Sequence, residues 1–139
     1  MADKYQKIKN DFLFVLNEIK QISLNRNFEN AIIKSNLLSL EIENWTDDID
    51  LDKFESMKNN IINLIDDLRF VIKTEMRFIL FPLPDIKKET YEIGKKYMPN
   101  FLEWLNLDES YTPEKIMGIL EEEIYELDEA KEDLLEITF

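Results

Sequence analysis

FESMKNNIINLIDDLRFV, residues 54–71, decides the fold class. Phe54, Met57, Ile61, Leu64, Leu68 and Val71 are separated by alternating steps of three and four, which stacks them on one face of a helix. The same spacing runs upstream through Phe28, Ala31, Ser35, Leu38, Ile42 and Trp45, where Ser35 stands in as a small residue. It runs again through Tyr5, Ile8, Phe12, Val15, Ile19 and Ile22. Two glycines and four prolines in 139 residues supply too few turns for a sheet-rich fold. The expectation is an all-α protein: one helical-bundle domain over residues 1–139, with three to four long helices plus short ones.

Boundaries follow from capping chemistry. Asn27 and Asp50 are expected to cap the second and third helices with their side-chain oxygens. The third helix should run to Leu80, where Phe81-Pro82-Leu83-Pro84 stops it. Short helices are expected from Asp85 to Met98 and from Asn100 to Leu107. The last helix has Thr112 as its cap, Pro113 in its first turn and Glu114 at the positive end of the dipole, with Tyr111 and Ile116 placed as a hydrophobic staple.

The first two helices carry apolar residues on a second face. At about 100° per residue, Phe14 lies opposite Phe12, Leu37 lies opposite Phe28 with Ile33 and Leu40 beside it, and Phe70 opposes Phe54. Such helices are sandwiched between neighbours or meet a second copy of the chain. A strongly like-charged body resists pairing, so the sequence favours the interior, with a homodimer as the alternative.

Lys and Arg number 17 against 30 Asp and Glu, a net charge of −13. That balance argues against direct binding to nucleic acid or to an anionic membrane surface, since both would repel it. The acids are segregated: residues 1–40 carry net +2 and residues 41–70 net −6, whereas residues 71–112 carry net −1 and residues 113–139 net −8. No apolar run reaches the ~18 residues of a membrane span, and Met1-Ala2-Asp3-Lys4 opens straight into an amphipathic pattern, so a cytoplasmic location is expected. The abundance of isoleucine, lysine and asparagine fits AT-rich codons, as in a low-GC bacterium or its phage.

The chain has no histidine and no cysteine, which removes the usual base, thiol nucleophile and soft metal ligands. Asp48, Asp50 and Asp52 are spaced like the first ligands of a calcium loop, but Lys53 and Asn59 occupy the positions of its glycine and its bidentate glutamate. Lys87, Lys88, Lys95 and Lys96 form one small basic patch, expected to be solvated or paired with acids.

LEEEIYE, residues 120–126, contains Glu122-Glu123-x-x-Glu126 and resembles the first metal-binding motif of the MazG-like nucleotide pyrophosphohydrolases. Thr112-Pro113-Glu114-Lys115 before it and Leu127-Asp128-Glu129-Ala130 after it look similar as well. The resemblance implies helix carboxylates holding magnesium for pyrophosphate cleavage, completed by an ExxD motif on a later helix. The sequence through Phe139 supplies no such motif. The expectation is therefore no catalytic residues, no metal site and no cofactor.

What remains is a protein-binding surface. On the last helix Leu120, Ile124, Leu127, Ala130 and Leu134 gather with Ile116 on the core side. Glu121, Glu122, Asp128, Glu129, Glu132 and Asp133 fall opposite them, around Tyr125. A tyrosine ringed by carboxylates has the make-up of an anchor for a basic partner. Asp47, Asp48, Asp50, Asp52 and Glu55 form a second acidic patch. Immunity proteins, antitoxins and phage anti-CRISPR proteins exploit this physics, with carboxylates standing in for phosphates on a nucleic-acid-binding partner. A MazG-like enzyme and an oligomeric helical scaffold are the alternatives.

Overall fold

Seam residues recurring on one face require a partner surface, and in the computed structural model they find it in one another. The structure describes residues 2–45, 49–80 and 113–139. All four described elements are helices: α1 (Ala2–Arg26), α2 (Glu29–Glu43), α3 (Leu51–Leu80) and α4 (Pro113–Glu136). The protein is all-α. The two expected short helices, the Thr112 cap, Tyr111 and the lysine patch at Lys87 to Lys96 lie outside the described residues. None of the described helices is long and apolar enough to cross a membrane.

The α1–α2 connection corrects one expectation. Asn27 does not cap α2; it ends α1 in the left-handed region, at φ 55°. The Phe28 N–H donates to the Ser23 carbonyl at 2.9 Å, and the Asn27 N–H donates to the Leu24 carbonyl at 3.3 Å. This paired closure satisfies two of the carbonyls a helix end leaves orphaned, and asparagine is the non-glycine residue that best tolerates the required backbone. Phe28 then takes the cap position of α2 without a side-chain hydrogen bond. At α3 the expectation holds, because Asp50 Oδ1 accepts the Lys53 N–H at 2.8 Å. α4 begins at Pro113 with Glu114 in its first turn, as its N-terminal chemistry implies.

The chain divides into two compact units, Met1–Asp67 with Glu126–Phe139, and Leu68–Tyr125. In the first, Ile8, Phe12, Val15, Leu16, Ile19 and Ile22 of α1 are buried, as are Ala31, Ser35, Leu38 and Ile42 of α2. Phe54, Met57, Ile61, Leu64 and Ile65 of α3 and Leu127, Ala130 and Leu134 of α4 complete the same core. Each large side chain so buried contributes about 1.5–3 kcal/mol relative to an exposed one.

Polar groups fix the register of this unit. The Lys58 ammonium donates to the carbonyls of Leu135 and Ile137 at 3.3 and 2.8 Å, closing the C-terminal end of α4 with a positive charge. The same ammonium lies 5.4 Å from the centre of the Phe54 ring. One helical stretch away, Lys131 pairs with Asp66 at 3.2 Å, so α3 and α4 run antiparallel. Lys9 donates to the Trp45 carbonyl at 3.4 Å, tying the end of α2 to α1. In the second unit the buried apolar residues among those described are Leu68, Ile72, Ile116 and Leu120. Glu75 and Glu123 are buried there too, and each takes part in a polar interaction.

The second apolar faces of α1 and α2 are not interior. Phe14 is 60% exposed, and Ile33, Leu37 and Leu40 are 57%, 62% and 54% exposed. Phe70, in the second unit, is exposed as well. α1 and α2 spend one arc each on the shared core, and among the described residues nothing covers the other arc. The interior expectation for these residues is therefore wrong.

Candidate functional site

α4 is rotated so that Leu127, Ala130 and Leu134 are buried, which leaves its carboxylates from Glu126 to Glu136 on the flanks and the outer face. α1 lies along one of those flanks in the opposite direction. Its N-terminal Lys4 sits 4.8 Å from the centre of the Phe139 ring, and Asp11 shares a groove with Glu136 and Ile137. Further along α1, Glu18 faces Glu126, Glu129 and Asp133. Two helices distant in sequence thus pool their acids on one side of the first unit.

The groove between them has a volume of about 290 Å³ and is lined by Lys7, Asp11, Phe14, Val15, Asp133, Glu136 and Ile137. The lining combines three apolar side chains, Phe14, Val15 and Ile137, with three carboxylates. The one lining cation, Lys7, is engaged with Asp11 at 3.1 Å on the exposed surface of α1. The volume falls at the bottom of the ~300–1,000 Å³ range of small-molecule pockets, and suits a single inserted side chain. Phe14 lines it with an exposed aromatic ring, a group whose face attracts cations through its quadrupole.

The local field acts on Glu18. Burial raises its carboxyl above the ordinary 4.5, and Asp133, Glu129 and Glu126 push it further in the same direction. Folding therefore disfavours the charged form of Glu18. Its destabilising effect is fully present above the raised folded value and disappears as pH falls through that value towards 4.5. Glu18→Gln should accordingly raise the melting temperature at pH 7, by the equivalent of about 0.5 kcal/mol once solvent screening is allowed for. The gain should vanish near pH 4. Thermal melts of both forms across that window check the sign; a variant less stable at pH 7 would mean that Glu18 is held by favourable contacts instead.

The residues expected from the sequence are distributed as follows. Glu129, Glu132 and Asp133 are exposed and Asp128 is half-buried, all in the first unit. Glu121, Glu122 and Tyr125 are exposed in the second unit, on the same helix. Of the other patch, Asp50, Asp52 and Glu55 are exposed at the start of α3, with Asp50 engaged as its cap. Asp47 and Asp48 lie outside the described residues. Sequence reading missed Asp11, Glu18, Glu126 and Glu136 as members of the acidic surface. A signal for the groove was present, since Phe14 stands off the α1 seam, but which acids surround it depends on α4.

Among the described residues no three carboxylates are grouped so as to hold a metal ion. Glu122 and Glu126 are exposed while Glu123 is buried, so the carboxylates of the Glu122-Glu123-x-x-Glu126 stretch do not share one solvent face. Comparisons of the chain with protein-family models, with curated proteins and with solved structures give no match.

Proposed function

We propose that the protein is a binding protein that inhibits a basic, nucleic-acid-binding partner by occupying its phosphate-binding surface. The observation that carries this reading is the exposed Phe14 lining one groove together with Asp11, Asp133 and Glu136. A lysine or arginine of the partner inserted there meets an aromatic ring and three carboxylates, the two kinds of group that best hold a desolvated cation. Glu18, Glu126, Glu129 and Asp133 extend the negative surface beside the groove and steer such a partner towards it. Tyr125, Glu121 and Glu122 are exposed on the same helix, in the second unit.

The test is capture from a lysate of the source organism on immobilised protein, followed by competition with duplex DNA or RNA. The retained partner should be basic, should elute as salt rises, and should be displaced by nucleic acid. Glu129→Lys with Asp133→Lys should retain much less of it. Equal capture by the charge-reversed variant, or a captured partner indifferent to nucleic acid, would overturn the proposal.

A further inference from the structure

The uncovered face of α2 differs from the acidic surface in chemistry. Ile33, Leu37 and Leu40 stand at i, i+4 and i+7 and are each more than half exposed. Four more residues lie within about 60° of Leu37 on the same face: Asn30, Lys34, Glu41 and Asn44, all exposed. One base and one acid leave that face with no net charge, in a chain of net −13. A basic partner finds nothing there to attract it.

The arrangement is complementary to itself. Lys34 precedes Leu37 by three residues and Glu41 follows it by four. Two α2 helices laid antiparallel about a two-fold axis near Leu37 set Lys34 of each chain opposite Glu41 of the other. Ile33 then meets the neighbourhood of Leu40 of the other chain, and the two Leu37 side chains meet at the axis. Two-fold interfaces need this property, because every contact occurs twice with its members exchanged. Neutrality supplies the second requirement, since a face with one base and one acid carries no net charge to oppose its own copy.

We infer that the exposed face of α2 is a homodimer interface, formed by antiparallel α2 helices with Ile33, Leu37 and Leu40 at its centre and Lys34–Glu41 pairs at its rim. This inference does not rest on the basic-partner reading. At 15 residues α2 is about 22 Å long, so the contact falls short of the ~800 Å² per partner of a standard interface, and the dimer should exchange with monomer at micromolar concentrations.

Sedimentation equilibrium of the full chain over a micromolar to millimolar range tests it. Wild-type protein should show a monomer–dimer equilibrium that strengthens as salt screens the net repulsion, the opposite salt response to that of basic-partner capture. Leu37→Asp should weaken the dimer at least tenfold while leaving the helical circular dichroism unchanged. Lys34→Glu should weaken it about threefold, and adding Glu41→Lys to that variant should restore the wild-type constant. The charge swap decides the matter even if Leu37→Asp disturbs the fold. A wild-type chain that stays monomeric throughout, or a dimer unmoved by both Leu37→Asp and Lys34→Glu, overturns the inference and assigns the face to a different partner. Loss of the dimer in Leu37→Asp with partner capture intact, or the reverse in Asp133→Lys, separates failure of this inference from failure of the proposed function.

Discussion

Phe12→Ala should cost the protein about 3–5 kcal/mol of stability, whereas Phe14→Ala, two residues along the same helix, should change it by no more than about 0.5 kcal/mol. Phe12 is completely buried; its ring centre lies 5.4 Å from that of Phe54 and 6.1 Å from that of Trp45, the latter edge-on. Phe54 in turn packs on Phe139 at 5.5 Å, so one truncation opens a void beneath a chain of aromatic contacts from two helices, the segment after α2 and the C-terminus. Each such ring pair adds roughly 0.5–1.5 kcal/mol beyond its buried area. Against a total stability on the order of 5–15 kcal/mol, the loss is a large fraction. Urea titrations followed by circular dichroism measure both variants. A Phe12→Ala loss below about 1 kcal/mol would mean that the site collapses around the smaller side chain; a comparable loss in Phe14→Ala would show that its exposed ring is part of the core after all.

Partner binding should respond in the opposite order. With the captured partner in hand, Phe14→Ala should weaken binding by about 2 kcal/mol, close to thirtyfold, mainly through faster dissociation. Removing the ring takes away the surface on which an inserted cation rests and leaves the rim carboxylates around a wet hole. Glu129→Lys with Asp133→Lys should act earlier in the reaction: association slows, and its dependence on salt flattens because the steering field has been reversed. Both lysines also relieve the repulsion on Glu18, so its carboxyl should titrate closer to its ordinary value. Tyr125→Ala serves as the comparison. Should Tyr125 carry the loss and Phe14 none, the anchor is the tyrosine expected from the sequence and not the groove; unchanged kinetics in all three variants would take the interface off α1 and α4 altogether.

A helix that is apolar on two sides is consistent with burial on both, and repulsion within a chain of net −13 weighed against exposing such a face to a copy of itself. Repulsion of that kind requires the charge to be spread evenly over the surface. Among the described residues most of the acids lie on α4, on the flank of α1 and at the start of α3, while the Leu37 face of α2 holds one acid and one base. Net charge describes the whole molecule, but contact is made face by face.

Asn27 shows a similar limit at shorter range. An asparagine between two helices suits the end of one and the start of the next equally well, because its oxygen can cap and its backbone tolerates the left-handed region. The tie is broken by where α2 must lie for Ala31, Ser35 and Leu38 to reach the α1 seam, and the reversal at φ 55° provides that path. Asp50 presents no such ambiguity, since it cannot adopt the helix-ending role where no helix precedes it directly, and it caps α3 as its chemistry implies.

Periodicity, capping chemistry and composition are local properties, and the sequence alone therefore determined the helical class, the seams of α1 to α4, the start of α4 at Pro113 and the segregation of charge along the chain. Which arc of each helix is covered is not local. It follows from the simultaneous packing of α1, α2, α3 and α4, and only that packing separated Phe12 from Phe14 and left Ile33, Leu37 and Leu40 uncovered. It also carried Glu18, from the one stretch of the sequence with a net positive charge, to the side of Glu129 and Asp133. Burial of the apolar seams set the rotation of each helix, and the polar flanks were brought together as its consequence, so the acidic groove is a product of core packing that no spacing along the chain encodes.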